Sequence, residues 1–211
     1  MAPHLGLQRI MIPSAQVSSL TTGSITLPSA RGAFADTSFD SIGSFVFTGS
    51  ETSVTFDNIS ANYDHLQVRF FGRTTTIAAG NAALLLTVND YTTSNTSFGR
   101  MYSTGSTQSG DVTTGSLFES SIGVIPNNSH PANYFGGGII DLFNANNATQ
   151  KKIYQGFMGS QPGVTTTDAR VAKTTYLIQD TARVSKIICS IAGGATWAAG
   201  STVSLCGILG S

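Results

Sequence analysis

Three histidines, eleven acidic residues and two cysteines are what this 211-residue chain offers for acid–base, metal or thiol chemistry. His4, His65 and His130 share no HxH or HExxH spacing, so they do not form the paired imidazole face that a zinc site uses. Asp64-His65 is the one adjacent acid and imidazole, and a nucleophilic triad would need both in line with an activated serine. No GxSxG elbow supplies one, because Gly105-Ser106-Thr107-Gln108-Ser109-Gly110 misses that pattern by a residue and reads as a flexible loop. The pair is therefore read as a turn aspartate followed by an edge histidine. Glycoside hydrolysis needs two carboxylates across a cleft, and Asp57, Asp90, Glu119 and Asp141 are not paired by their spacing. Cys189 and Cys206 stand in the last two strand-like segments and meet only if those strands pair; without CxxC spacing they are read as free, small apolar side chains. Phosphate-binding glycine motifs and calcium ladders are absent from the sequence. The expectation is a non-enzymatic protein without metal or cofactor.

Charged residues make up 10% of the chain and the formal net charge is zero. A nucleic-acid or anionic-membrane partner needs a basic patch, so neither is expected. Solubility falls to the hydroxyls and amides of Ser, Thr and Asn. The chain lacks an apolar run long enough to span a bilayer, and residues 1–13 lack the basic start and apolar stretch of a secretory signal.

Strands must carry whatever positions these residues. Apolar side chains rarely recur at the helical i, i+3, i+4 spacing and helix formers are scarce. Short β-branched and aromatic runs instead recur between Gly, Ser, Thr and Asn, at 42–48, 53–59, 65–72, 83–89, 117–124, 134–143, 152–158, 170–178, 184–191 and 202–209. This cadence predicts an all-β fold, an antiparallel β-sandwich of jelly-roll-like form. In Leu66-Gln67-Val68-Arg69-Phe70 the period of two sends the apolar residues to one face and the polar ones to the other. Residues 42–72 read as consecutive strands of a meander. Gly136-Gly137-Gly138 predicts a bulge, with tight packing against a neighbour as the alternative.

Two polar segments, 91–116 and 126–134, read as loops that set Tyr91, Phe98, Tyr102 and Tyr134 among Asn, Ser and Thr. Aromatic faces with amides suit contact with a glycan, with a protein receptor or with another subunit. The sequons at Asn58, Asn95, Asn127 and Asn147 are what so polar a chain contains by accident. Residues 1–38 scatter Leu5, Ile10, Ile12, Leu20, Ile25 and Leu27 among Ser, Thr and Pro without a period. They are read as an extended N-terminal docking arm preceding a sandwich domain at 39–211.

Phe39-Asp40-Ser41-Ile42, Val54-Thr55-Phe56-Asp57-Asn58-Ile59, Tyr63-Asp64-His65-Leu66-Gln67-Val68-Arg69 with Gly72-Arg73, and Ala198-Ala199-Gly200-Ser201-Thr202-Val203-Ser204-Leu205 before Gly207-Ile208 carry a resemblance. From Phe39 onward the chain resembles small β domains of tailed phages, the kind found at the distal ends of tail fibres. Cys206 departs from that pattern, which usually has Tyr there. The resemblance implies a jelly-roll-like sandwich, a homotrimer on the virion surface assembled in the host cytoplasm, and no catalytic residues. Two roles fit: a short tail-fibre or receptor-binding component, anchored to other virion proteins by the arm and facing a host-surface glycan or protein, or a capsid decoration protein. Decoration gains from the lack of heptads or shaft repeats. A glycan-binding or glycan-cleaving module is the third reading.

Overall fold

The computed structural model describes residues 39–75, 81–90, 96–105, 107–113, 120–160 and 169–209. All of them fall in one unit, Ser38–Ser211. The arm 1–38, with Leu5, Ile10, Ile12, Leu20, Ile25 and Leu27, lies outside the described residues, as does Tyr91.

The strands are β1 (Phe39–Val46), β2 (Ser53–Phe56), β3 (Tyr63–Gly72), β4 (Asn81–Val88), β5 (Thr96–Thr104), β6 (Thr107–Thr113), β7 (Ser120–Pro126), β8 (Gly136–Phe143), β9 (Lys152–Ser160), β10 (Arg170–Ile178), β11 (Ile187–Ile191) and β12 (Thr202–Leu209). They form two antiparallel sheets, one ordered β1-β12-β3-β8-β9-β10-β5-β6 and the other β2-β11-β4-β7. The pairing is nested: β1 with β12, β2 with β11, β3 with β8 and β4 with β7. That nesting is a jelly roll of eight strands. The β5–β6 and β9–β10 hairpins are inserted into it, and both extend the same sheet.

Alternation decides which side chains close the sandwich. Leu66, Val68, Phe70, Ile140, Leu142, Val203 and Leu205 come from the larger sheet, and Val54, Phe56, Leu84, Leu86, Val88, Ile187 and Cys189 from the smaller. Burying each of the large ones stabilises the fold by roughly 1.5–3 kcal/mol. At one end Trp197, fully buried, stacks on Phe47 with centroids 4.5 Å apart. The Trp197 amide donates to the Glu51 carbonyl. Glu51 in turn ties its own turn together: Oε1 accepts the Thr48 hydroxyl at 2.6 Å, and Oε2 accepts the amides of Thr48, Gly49 and Ser50.

Several expectations are corrected. Residues 42–72 are not a meander, because β1 and β3 join the larger sheet on either side of β12 while β2 joins the smaller one. Burial on both faces of the sandwich required successive strands to alternate between sheets. The segment 91–116 is not a loop, since β5 and β6 form a hairpin over 96–113 around Gly105. Its Gly, Ser and Thr content hid strands whose apolar demand is met on one side only. The glycine triplet is no bulge either: β8 keeps a regular register with both neighbours. A Cβ on Gly138 would lie 2.6 Å from Met158 Cβ, 2.8 Å from the Phe157 carbonyl oxygen and 2.8 Å from the Phe70 ring, so close packing explains it. The irregularity of β1 falls at Ser41/Gly43 instead. Cys189 is buried between the sheets and Cys206 stands on β12 in the other sheet, so their strands do not pair and both thiols are free.

Two predictions follow from this packing. Gly138→Ala overpacks a site walled partly by backbone and is expected to cost about 1–3 kcal/mol, read as a lower urea midpoint at unchanged slope. Thr48 first, and then the turn's backbone amides, hold the Glu51 carboxyl at about 2 against an ordinary 4.5. A depressed folded value means that its stabilisation is complete above pH 4.5 and is lost as pH falls through about 2. The stability difference between wild type and Glu51→Gln should hold steady from pH 7 to about 5 and shrink below that, measured by urea unfolding at each pH.

Candidate functional site

The β5–β6 hairpin helps to build a concave surface of mixed polarity. β5 pairs with β10 from Ile178↔Thr96 to Arg170↔Thr104 without a break. Alternation therefore places Phe98, Arg100, Tyr102 and Thr104 on the inner face beside Tyr176, Thr174, Ala172 and Arg170. The anchor is aromatic: Tyr154 stacks on Tyr176 at 4.7 Å, and Phe98 lies 5.2 Å from Tyr176. Burial pushes the Tyr176 phenol well above its ordinary value, so it stays protonated. Beyond this stack the smaller sheet ends at β7, and β5 and β6 continue past it.

Between β7 and that overhang lies a cleft of about 270 Å³ lined by Arg100, Tyr102, Thr104, Ser109, Gly123, Val124, Arg170 and Ala172. Its two arginines differ. Arg100 forks onto Asp111 of β6, with Nε 3.0 Å from Oδ1 and Nη2 2.6 Å from Oδ2. Its guanidinium also sits over the Tyr102 ring, 4.8 Å from the centroid. The bond to Asp111, foremost, raises the Arg100 pKa further. Arg170 has no ion pair among the described residues, and its Nε is shielded from water without a hydrogen-bond partner. Its neighbours across the strands, Thr104 and Ser160, carry no charge. The hydroxyls of Ser160 and Thr174 are likewise buried and unpartnered.

The opposite face of the larger sheet carries exposed apolar rows with a polar row of Gln67, Asp141, Gln155 and Thr175 among them. Ile139, Phe157 and Met101 stand in one cross-strand row with Arg69 and Lys173, and Phe143, Ile153 and Leu177 form a second. Phe71 and Val171 flank a third row in which Gly137 and Gly159 lie between them. Phe157 is 63% and Met101 72% exposed, so these side chains have little cover among the described residues.

The predicted contact residues do not converge. Phe98 and Tyr102 point inward from a strand rather than outward from a loop, because the period of two assigns them to the inner face. Tyr134 precedes β8 in a loop held by buried Arg73. The Arg73 guanidinium donates to the carbonyls of Pro131 (2.6 Å), His130 (2.8 Å) and Tyr134 (3.4 Å) and to Asn128 Oδ1 (3.1 Å). Burial lowers its pKa from the usual value. Asp64-His65 does not act as a pair: His65 Nδ1 accepts the Asn144 amide and its ring meets Phe143 edge-on, while the Asp64 carbonyl accepts the Ala145 amide. Asp57 and Asp90 do meet, both on Lys186, whose pKa the Asp90 hydrogen bond raises most. Asp141 is held by Gln67, and Glu119 lies outside the described residues. Among the described residues, no three His, Cys, Asp or Glu side chains are grouped to hold a metal ion.

Sequence reasoning missed Arg100, Asp111 and Arg170. The signal for the first was present in Phe98-Gly99-Arg100-Met101-Tyr102, where alternation puts an arginine between two aromatics on one face.

Comparison of the chain with protein-family models, with curated proteins and with solved structures finds no match.

Arg73→Met keeps much of the side-chain volume but strands the carbonyls of His130 and Pro131. With hydrogen bonds to a charged group worth about 1.5–3 kcal/mol, the variant should lose at least that much stability, and amide exchange should accelerate first in the loop 127–134.

Proposed function

We propose that the protein is a non-enzymatic structural component of a tailed-phage virion, a short tail-fibre or receptor-binding piece anchored through residues 1–38. The observation that carries this reading is the outer face of the eight-stranded sheet. Contiguous apolar patches beyond a few hundred Å² are uncommon on monomers, and the adjacent rows through Phe71 and through Ile139, Phe157 and Met101 cross most of the sheet, with Gln67, Asp141, Gln155 and Thr175 separating them from the row through Ile153. Further copies of the same chain are the occupant this reading assigns to it, in the homotrimer that the sequence resemblance implies. Zero net charge means that copies do not repel one another. A face that self-associates and a separate apolar arm together suit a protein that assembles with itself and docks on a larger particle.

The polar residues support a binding role rather than a hydrolytic one. The two acids that meet, Asp57 and Asp90, share a half-buried lysine and do not line the cleft beside β7. Asp111 is committed to Arg100.

Wild type should elute as a trimer by light scattering at micromolar concentration, and Phe157→Glu and Met101→Glu should give monomers. Their stability should stay within about 0.5 kcal/mol, because both positions are exposed in the single chain. A monomeric wild type would remove the observation on which the reading stands. Gold-labelled antibody on particles then separates the roles: label at the tail tip supports the fibre, and icosahedrally distributed label replaces it with capsid decoration.

A further inference from the structure

We infer that the cleft between β7 and the β10–β5–β6 overhang binds a carboxylate-bearing sugar residue, with Arg170 as the partner of the carboxylate and Tyr102 as the surface on which the ring packs.

Of the two arginines lining the cleft, Arg100 is neutralised by two bonds to Asp111, so it adds no net attraction for an anion. Arg170 is not neutralised by any described residue, and the flanking inner-face side chains are Thr104 and Ser160. Its Nε and the Ser160 hydroxyl, on neighbouring strands in register, are both shielded from water with no partner. Leaving a charged donor and a neighbouring-strand hydroxyl unmet is costly, and such groups call for an explanation that a bound ligand would supply. A planar carboxylate matches the guanidinium fork in geometry and sign.

Shape narrows the class. Ala172 is small and leaves the cleft open on the β10 side, opposite Gly123 of β7. The volume, about 270 Å³, sits at the low end for ligand pockets and suits one ring rather than an extended molecule. Tyr102 is half-buried, and its ring is held in place by Arg100 lying over it at 4.8 Å. Such a fixed aromatic offers an apolar surface to the C–H face of a sugar. The hydroxyls of Thr104 and Ser109 complete a lining that matches sugar hydroxyls. Gly123 cannot be enlarged without displacing Met158, whose Sδ would lie 1.4 Å from a Cβ there, so the narrow wall is built into the packing.

The test uses the full chain and three probes in calorimetric titration: trigalacturonate, its methyl ester, and inorganic phosphate. The two sugars share ring and hydroxyls and differ in charge. Trigalacturonate is expected to bind at least about tenfold more tightly than the ester, a difference of about 1.4 kcal/mol. Arg170→Gln should abolish that preference while Tyr102→Ala weakens both sugars, with thermal unfolding confirming that each variant folds. Equal binding of acid and ester by wild type overturns the inference without recourse to any variant. So does an Arg170→Gln protein that keeps the preference, or phosphate binding as tightly as the acid sugar. None of these outcomes depends on oligomeric state or on where the protein sits on a particle.

Discussion

An eight-stranded sheet faces a four-stranded one, and most of what this protein presents to its surroundings follows from that mismatch. With strands about 4.8 Å apart, the larger sheet spans roughly 34 Å between its outer strands and the smaller roughly 14 Å. The nested pairs β1–β12 and β3–β8 lie opposite β2–β11 and β4–β7, and there the core closes on Leu66, Val68, Ile187 and Val203. On the far side of β8, the larger sheet runs on through four more strands. β7 meets β9 and β10, which buries Tyr154, Met158 and Tyr176. Past β10 it no longer reaches, so the inner face turns from Ile and Leu to Arg100, Tyr102 and Ser109.

Two buried cations keep the loops of this frame in place, and neither is paired with a carboxylate among the described residues. Arg73 gathers the carbonyls that follow β7. Lys152, at the start of β9, donates to the carbonyls of Asn147, Gln150 (2.6 Å) and Thr181 (2.9 Å), and its burial lowers its pKa. Carbonyl oxygens replace water around each charge, which is how a buried cation is tolerated in a chain with few acids. Arg170 Nε has no such partner among the described residues.

The fold class was legible because a period of two survives in nearly every core strand, as in Leu66-Gln67-Val68-Arg69-Phe70. Connectivity was not legible. Nothing local in 42–72 says that β2 leaves the sheet that β1 and β3 share, because its partner is the distant strand β11, where Val54 pairs with Cys189. The β5–β6 hairpin escaped notice for a different reason: one face of β6 is open, so Gln108, Ser109 and Gly110 carry no apolar requirement. Tyr102 was singled out as a residue type and misplaced as a loop residue. Its partners Arg100 and Arg170 come from positions 70 apart and meet only through the β5–β10 ladder.

The inserted hairpins have opposite consequences on the two sides of the sheet they lengthen. Inside, they outrun their cover and leave a polar recess; outside, they prolong an apolar surface begun by Phe71 and Ile139 through Phe157 and Val171 to Met101. A jelly roll without them would end at β8 and have neither feature. Both surfaces therefore depend on the same packing step, the stacking of Tyr154, Tyr176 and Phe98 that secures β9, β10 and β5 beside the core. Because strand alternation sends Arg100 and Tyr102 to one side and Met101 to the other, change at one surface leaves the residues of the other untouched. The hairpin separates a face suited to association from a recess suited to a ligand by the thickness of one sheet.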